Sequence, residues 1–323
     1  MMPNLSHFGL DAQTLSDQST FKPSKGDSNI LLYDGDGGCY QSAAGAAKQE
    51  TAMRRFERDI LENMFLAGCT KARVHLTPSG CFKNGRHLLL GAKKYQDNRS
   101  NKNKPQHLEY LRSPASVEYF KDHEDIEIIL NYRVEADDAL MMDHYRYHNG
   151  ILVSPDKDLN ISPFKSYKAE LGKHLVLPEG DRYGWIDREF WLTPSQKPSS
   201  KMIGKGTKFF LAQLLMGDTA DNVKGILKLN GKLCGESAAF DALNPITDEH
   251  EAVNFIIEAY KKIDQNIIPE AEAMWLLRNP NDSAFKYLSE HNLTDSNLNF
   301  LNECYHERKW KLDETDLEYT DEL

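Results

Sequence analysis

The sequence predicts an α/β fold, with a central, mainly parallel sheet and helices on both of its faces. Four short apolar runs, at 29–34, 72–76, 126–132 and 150–154, have the length and composition of buried strands. Segments of helical periodicity follow the first and the third of them. Strands that alternate with helices are typical of parallel sheets, because a crossover must return the chain to the same end of the sheet.

The helices are predicted from apolar spacing and from end signals. Within 41–68, Met53, Phe56 and Ile60 recur at helical spacing, and Gly68 is the residue type expected just past a helix C-terminus. A second helix is predicted over 134–148. KFFLAQLLM and much of 249–310 have helical patterns as well.

Composition divides the chain into four predicted parts. These are a polar N-terminal extension (1–28), an α/β core (29–195), a helix–loop–helix region (200–245) and a helical C-terminal region with an acidic tail (246–323). The Ser- and Pro-rich stretch 193–201 is predicted to be a linker. Tyr183, Trp185, Phe190 and Trp191 are predicted to be core residues.

One segment of the core is unusual. The stretch at about 82–114 is polar and basic, and it is too long for a simple connection between a strand and a helix. It is either an insertion or a functional lid.

Composition also excludes several classes of protein. No apolar run is long enough to cross a bilayer. The first residues lack the basic-then-apolar pattern of a signal peptide, so we expect a cytoplasmic protein. Five widely spaced cysteines without a CxxC pair exclude a disulfide framework and a zinc ribbon.

The net charge of −10 is unevenly distributed. From Lys83 to Lys104 there are seven basic residues against one aspartate, and from Lys197 to Lys232 there are seven lysines against two aspartates. Two basic surfaces could therefore hold a nucleic acid despite the acidic total. The alternative is that both stretches are ordinary solvated faces.

Acidic residues recur where predicted strands or helices end or begin. The four clusters are Asp34, then Glu135, Asp137 and Asp138, then Asp156 and Asp158, then Asp218 and Asp221. The first three follow strands, and ligands of parallel α/β sheets gather at the carboxyl ends of the strands. Asp218 and Asp221 would share a helix face if their segment stays helical. So many carboxylates repel one another, and hard divalent cations such as Mg²⁺ relieve that repulsion.

The segments LLYDGDGGCY, VEADDALMMDH, VSPDKDL and LMGDTADNVKGI follow one another with characteristic spacing. In this order the chain resembles the flap endonuclease/5′-exonuclease superfamily over about residues 30–245. It is similar in particular to the stand-alone phage exonucleases and to the 5′-nuclease domain of bacterial DNA polymerase I. The resemblance implies a PIN-like core and hydrolysis of DNA near 5′ ends, flaps or nicks.

The resemblance also implies a metal site. Two Mg²⁺ ions would bind, with Mn²⁺ able to substitute for them. The first ion would be held by Asp34, Glu135, Asp137, Asp138 and Asp156, and the second by Asp158, Asp218 and Asp221. The protein would act as a monomer, in phage-type DNA replication, recombination or degradation, alongside the proteins of those processes.

In the same superfamily a basic arch carries a YKxNR-type motif, which reads Tyr95 to Arg99 in this chain. Arg99 would contact the scissile phosphate, and Lys93 or Lys94 would supply the cation that Gln96 lacks. The arch residues implied to contact DNA are Lys83, Tyr95, Asn98, Lys102 and Lys104. A DNA-binding helix–loop–helix follows GDTADN, with Lys224, Gly225, Lys228, Gly231 and Lys232 as its implied contacts.

The chain departs from the superfamily pattern at the end of the second strand, where LTPSGCF offers no acid. We expect either that the site binds one ion more weakly or that Asp36 compensates in part. An alternative function is a catalytically weakened protein that binds DNA structures on the same fold. A second alternative is a haloacid-dehalogenase-type phosphatase with Asp34 as nucleophile and Asp36 as acid, which leaves the other clusters without a role.

Overall fold

The computed structural model describes residues 29–99 and 103–313. The predicted extension over 1–28, Lys102 and the acidic tail from 314 onward lie outside this range. Within the described range, no helix is both long and apolar enough to cross a membrane.

A six-stranded sheet forms the centre of the molecule, in the order β3–β2–β1–β4–β5–β6. Its strands are β1 (Ile30–Asp34), β2 (Lys71–Leu76), β3 (Ile126–Leu130), β4 (Gly150–Val153), β5 (Ser166–Lys168) and β6 (Lys173–Leu175). The pairs among β1 to β5 are parallel, and β6 runs antiparallel to β5. The prediction of a mainly parallel sheet is confirmed.

Helices cover both faces of this sheet. The α-helices of the described residues are α1 (Gly35–Ala43), α2 (Gln49–Ala67), α3 (Leu108–Leu111), α4 (Pro114–Phe120), α5 (Ala136–Arg146), α6 (Thr207–Met216), α7 (Glu236–Leu243), α8 (Glu249–Lys262), α9 (Ile268–Met274), α10 (Ala284–Ser289) and α11 (Asp295–His306). Leu31 packs in one core cluster with Phe56 of α2, whereas Leu32 packs in another with Leu140 of α5. Because neighbouring residues of a strand point to opposite faces, α2 and α5 lie on opposite sides of the sheet.

The helix ends follow the local sequence. The helix predicted within 41–68 is two helices, since α1 already begins at Gly35, where the Asp34 side chain accepts hydrogen bonds from the amides of the first turn. Gly68 ends α2 in the left-handed conformation with φ 70°, as predicted. Glu135 is the residue just before α5. Strand ends and helix starts therefore bring acidic side chains to one end of the sheet.

Two sequence predictions about 183–205 are wrong. The stretch predicted as a linker forms the turn and second strand of an antiparallel hairpin, β7 (Trp185–Leu192) and β8 (Pro198–Lys205). Of the aromatic cluster predicted as core, Tyr183 is buried, but Trp185, Phe190 and Trp191 are exposed. Trp185 and Trp191 lie on the face of the hairpin opposite to the buried Ile186. Phe190 shares the face of Ile186 but lies next to the turn.

The helix–loop–helix expected over 200–245 consists of α6, an irregular loop and α7. Asp218 pairs with Val223 in an isolated bridge, so Asp218 and Asp221 do not share a helix face as predicted. Gly217 begins the loop with φ 76°, and a Cβ there would lie 2.4 Å from the Lys224 carbonyl oxygen. Only glycine fits this crossing of two backbone segments.

The C-terminal helices α8 and α9 hold α6 and this loop in place. The Tyr260 hydroxyl donates to the Leu214 carbonyl at 2.6 Å. The buried Glu270 carboxylate accepts from the Ala92 amide at 2.7 Å and from the Gly225 amide at 3.0 Å. A region without a readable motif thus joins the base of the predicted arch to the loop after α6.

His144 makes the stability of the fold sensitive to acid. It is buried in α5, with Nδ1 2.8 Å from the Ser162 hydroxyl. Burial, together with the Lys205 ammonium, lowers the pKa of His144 from 6.5 to about 3. As the pH falls, the unfolded chain therefore takes up this proton first, and stability present above pH 6.5 is lost progressively toward pH 3. At about pH 5 the loss from this residue should reach about 2 kcal/mol.

Urea unfolding near pH 7 and near pH 5 measures this effect in the wild type and in His144→Gln. Glutamine can keep a hydrogen bond to Ser162 but does not titrate. We expect the variant to lose less stability between the two pH values than the wild type. Equal losses in both proteins would show that His144 does not carry the acid sensitivity.

Candidate active site

Acidic side chains from separate elements meet around one cavity of about 990 Å³ at the carboxyl ends of the strands. Five of the eight predicted metal ligands line it, namely Asp34, Glu135, Asp137, Asp156 and Asp221. Asp158 and Asp218 lie beside Asp221, since ligand oxygens of the three residues are within 4.8 Å of one another. The structure thus brings seven of the eight residues to one place.

Asp34 is fixed by hydrogen bonds at the end of β1. Its Oδ1 accepts from the amides of Asp36 at 3.1 Å and Gly37 at 3.3 Å, and its Oδ2 accepts from the Ser154 hydroxyl at 2.7 Å. Burial raises the pKa of Asp34, and the neighbouring Asp36 carboxylate raises it further. The hydrogen bonds fix the orientation of the Asp34 side chain. The nearby Arg112 lowers its pKa by less than burial and Asp36 raise it.

Asp137 and Asp156 show the same conflict. Burial and then the charge of Asp34 raise the pKa of Asp137 well above its usual range. Burial and Asp34 also raise the pKa of Asp156, although the Asp158 amide donates to its carboxylate at 2.9 Å. The three carboxylates repel one another at neutral pH. A hard divalent cation fits this set, because it prefers oxygen ligands and removes the repulsion.

The second acidic group contains its own cation. Lys157 Nζ lies 2.9 Å from Asp158 Oδ1 and 2.7 Å from Asp218 Oδ2. Burial and Asp156 raise the pKa of Asp158 to about 8, whereas Lys157 outweighs burial at Asp218 and lowers its pKa. Lys157 lies between Asp156 and Asp158 in VSPDKDL, but the sequence alone predicts no role for it.

Asp138, predicted to bind the first ion, has a different environment. It is fully buried, and its two oxygens accept from Arg86 Nη1 and Nη2, each at 2.7 Å. The Leu277 amide donates to it as well, at 3.2 Å. Asp138 does not line the cavity. The bidentate ion pair with Arg86 replaces the predicted role as a metal ligand.

The missing acid of the second strand has a counterpart. Asp36 lines the cavity, and its Oδ1 accepts from the amide of Thr77, the residue directly after β2, at 3.0 Å. Arg112 Nε lies 3.0 Å from the same oxygen. Burial nevertheless raises the pKa of Asp36. A carboxylate is therefore present at the end of β2, supplied by another part of the chain.

The predicted arch motif lies directly on the acidic residues. The Tyr95 hydroxyl is 2.8 Å from Glu135 Oε2 and 3.2 Å from Asp221 Oδ2. Gln96 Nε2 donates to Asp221 Oδ1 at 3.0 Å, and the exposed Arg99 forms an ion pair with the same carboxylate. The Asn98 side chain donates to a backbone carbonyl, that of Thr219, at 2.8 Å.

The cations at the cavity are not all those predicted. Lys93 and Lys94 are exposed and do not line it. Lys83, predicted only as a DNA contact, donates to Gln96 and lies with Nζ 3.4 Å from Glu135 Oε1. Lys83 therefore stands where the sequence analysis placed Lys93 or Lys94. Lys104 is exposed and paired with Glu109.

The loop after α6 offers part of its predicted phosphate contacts. Lys228, Gly231 and Lys232 are exposed, and Lys224 is half-buried. Gly225 is buried, and its amide donates to Glu270 at 3.0 Å, so that this N–H already has a partner within the protein. The loop keeps its lysines and Gly231 available on the surface.

Comparisons with known proteins place the chain among distant structures. No family model and no curated protein matches it. It is similar to the D15 protein of phage T5 crystallised with metal ions, at 13% identity and a TM-score of 0.49, over 85% of this chain and 98% of that one.

Two further solved structures are similar to the chain. One is the T5 5′-exonuclease with bound zinc, at 13% identity and a TM-score of 0.46, over 86% and 98% of the two chains. The other is the flap endonuclease of bacteriophage T5 with DNA and metal ions, at 14% identity and a TM-score of 0.44, over 85% and 99%.

Proposed function

We propose that the protein is a divalent-metal-dependent 5′-nuclease, which hydrolyses phosphodiester bonds of DNA near 5′ ends, flaps or nicks. The observation that carries the proposal is the crowding of Asp34, Asp137 and Asp156 in an open cavity. Burial raises the pKa of all three carboxyl groups, Asp34 raises the pKa of the other two further, and Asp156 does so for Asp137. Such an arrangement is unfavourable by itself and suits a site that binds cations. Basic groups around the same cavity suit an anionic substrate.

The donor set consists of carboxylate oxygens, which favours Mg²⁺, with Mn²⁺ as a substitute. Asp34, Glu135, Asp137 and Asp156 would hold one ion, and Asp158, Asp218 and Asp221 a second. Bound there, the ions would lower the pKa of a water molecule and stabilise charge that develops on the phosphate. Lys157 already neutralises part of the second group, so we expect that group to bind its ion more weakly.

The chain's own cations would position the substrate. Lys83 and Arg112 line the cavity beside Glu135 and Asp36, where they can donate to phosphate oxygens. Arg99 is paired with Asp221 and would exchange this partner for the scissile phosphate. The exposed Lys228 and Lys232 would contact the intact duplex. The preference for 5′ ends is proposed from the resemblance of the Tyr95–Arg99 motif.

The alternative functions receive less support. A protein that only binds DNA gains nothing from concentrated negative charge facing the DNA. The missing acid at the end of β2 favoured this alternative, but the Asp36 carboxylate lies at that position. For a phosphatase, Asp34 would have to act as a nucleophile. That role would leave Asp137, Asp156 and the second acidic group without a function. The protein is proposed to act as a monomer.

The test uses two DNA substrates, a flap and a nicked duplex, each with a label at the 5′ end. With Mg²⁺ we expect 5′-phosphorylated mononucleotides or short oligonucleotides, and with EDTA no cleavage. The same substrates labelled at the 3′ end control for polarity, because digestion from that end would release short 3′-labelled products. Tight binding without cleavage in Mg²⁺ or Mn²⁺ would refute a nuclease and select the binding protein.

A further inference from the structure

The cavity extends beyond the carboxylates to a second wall, to which the proposed hydrolysis assigns no role. We name it the hairpin wall; its residues are Trp185, Glu189, Lys201 and Ile203. All four belong to β7 and β8. The strands β5 and β6 contribute Lys168 and Lys173 to the lining of the same cavity. One continuous space therefore joins an acidic part to an aromatic and basic part.

The register of the hairpin explains which side chains form this wall. Trp185 pairs with Lys205, and Glu189 pairs with Lys201. Residues two apart on a strand share a face, so the four wall residues lie on one face of the hairpin. Ile186, on the other face, is buried in the main core. The hairpin is anchored through one face and turns the other toward the cavity.

Trp185 is the residue of the wall with the largest flat surface. It is 39% exposed, although it is a large aromatic side chain at the rim of the core. Exposed aromatic side chains beside a charged groove are the usual platforms for unpaired bases, because every base has a face that can stack. Lys168 and Lys173 are cross-strand partners, which places two positive charges side by side.

We propose that the hairpin wall is a binding site for single-stranded DNA, in which Trp185 stacks on the base of an unpaired nucleotide. The inference rests on the proposed function, because the strand that carries this nucleotide would continue to the carboxylates where hydrolysis is proposed. Lys168 and Lys173 contact phosphates of the same strand. The occupant follows from continuity with the acidic part of the cavity and from the charge of the lysine pair, which suits a polyanion that carries bases.

The direct test measures binding without cleavage. The probe is a 5′-phosphorylated oligothymidylate of about ten nucleotides, within the length range of single-strand sites, with Ca²⁺ in place of Mg²⁺. We expect Trp185→Ala to weaken binding by about 10- to 100-fold and Trp185→Phe to recover most of it. Trp191→Ala is the matched control, because Trp191 lies on the same face of β7, is similarly exposed and does not line the cavity. It should bind as the wild type does.

Two further measurements separate stacking from a loss of structure. DNA should quench tryptophan fluorescence in the wild type and in Trp191→Phe, but much less in Trp185→Phe. One abasic position is then moved along the probe. At the stacked position the missing base should weaken wild-type binding and have little further effect in Trp185→Ala, because the two changes remove the same contact.

The outcomes distinguish this site from the proposed function. If Trp185→Ala binds the probe as tightly as the wild type, or if no abasic position depends on Trp185, the base-binding site is refuted, even where Mg²⁺-dependent cleavage is found. If binding depends on Trp185 but no substrate is cleaved, the nuclease is refuted and the site stands. Weakening of the Trp191→Ala control to the same degree also refutes the assignment to Trp185.

Discussion

The change of Asp137 to asparagine is expected to lower the rate of DNA hydrolysis by about 1000-fold or more, since loss of a charged ligand removes several kcal/mol of stabilisation and each 1.4 kcal/mol is about tenfold in rate. Asp137 lies at the centre of the repulsion, as its pKa is raised by Asp34, Asp156 and Glu135. The same change should therefore make the metal-free protein more stable, because a buried repulsive charge is removed. Single-turnover cleavage with Mg²⁺ and urea unfolding in EDTA measure the two effects.

The opposite signs of these two effects separate a functional defect from a folding defect. Asp122→Asn is the control, since Asp122 is exposed and precedes β3, at the other end of the sheet. It should leave both measurements unchanged. A rate for Asp137→Asn within about tenfold of the wild type, at saturating Mg²⁺, would show that this carboxylate supplies little of the several kcal/mol expected of an ion ligand.

The second large effect concerns the buried ion pair below the cavity. Arg86→Met should lower the free energy of unfolding by about 3–5 kcal/mol, because it leaves the Asp138 carboxylate buried without a counter-charge. Arg86 also donates to the Trp275 carbonyl at 2.7 Å and to Glu135 at 3.1 Å, so the change affects both the C-terminal region and the site. Urea or thermal unfolding measures the loss.

A double variant tests the cause. Arg86→Met together with Asp138→Leu removes both charges and should regain most of the stability, since apolar pairs of similar volume often replace buried ion pairs without loss. If the free energy of unfolding of Arg86→Met lies within about 1 kcal/mol of the wild-type value, the Asp138 carboxylate does not depend on Arg86 for its counter-charge. Equal loss in the single and double variants would assign the effect to packing instead of charge.

Much of the site could be predicted because its geometry is local. Asp34 ends β1, Glu135 and Asp137 surround the first turn of α5, and Asp156 follows β4. Each position follows from apolar periodicity and one adjacent acid, and parallel strands then bring the three groups to the same end of the sheet. The left-handed end of α2 at Gly68 is predictable from the local sequence as well.

The contacts that the sequence could not supply join distant parts of the chain. Arg86 reaches Asp138 across 52 residues, and Glu270 reaches Ala92 across 178. No periodicity marks such pairs, so the sequence does not reveal that Asp138, a metal ligand by the resemblance, is paired with Arg86. The prediction that Trp185, Phe190 and Trp191 are core residues was wrong for a related reason. Aromatic residues usually indicate core, and only the register reveals which of them lack a covering layer.

The contacts of Glu270 define where the molecule can be divided. One core cluster runs from Leu32 in the sheet to Cys304 in α11 without a break. A chain that ended near residue 245 would leave the amides of Ala92 and Gly225 without their acceptor and would uncover the apolar faces of α6 and α7. We therefore expect that the boundary predicted from composition does not separate two folding units. The residues around the cavity and the C-terminal helices are expected to unfold together, so that the segment with the motifs should not fold alone.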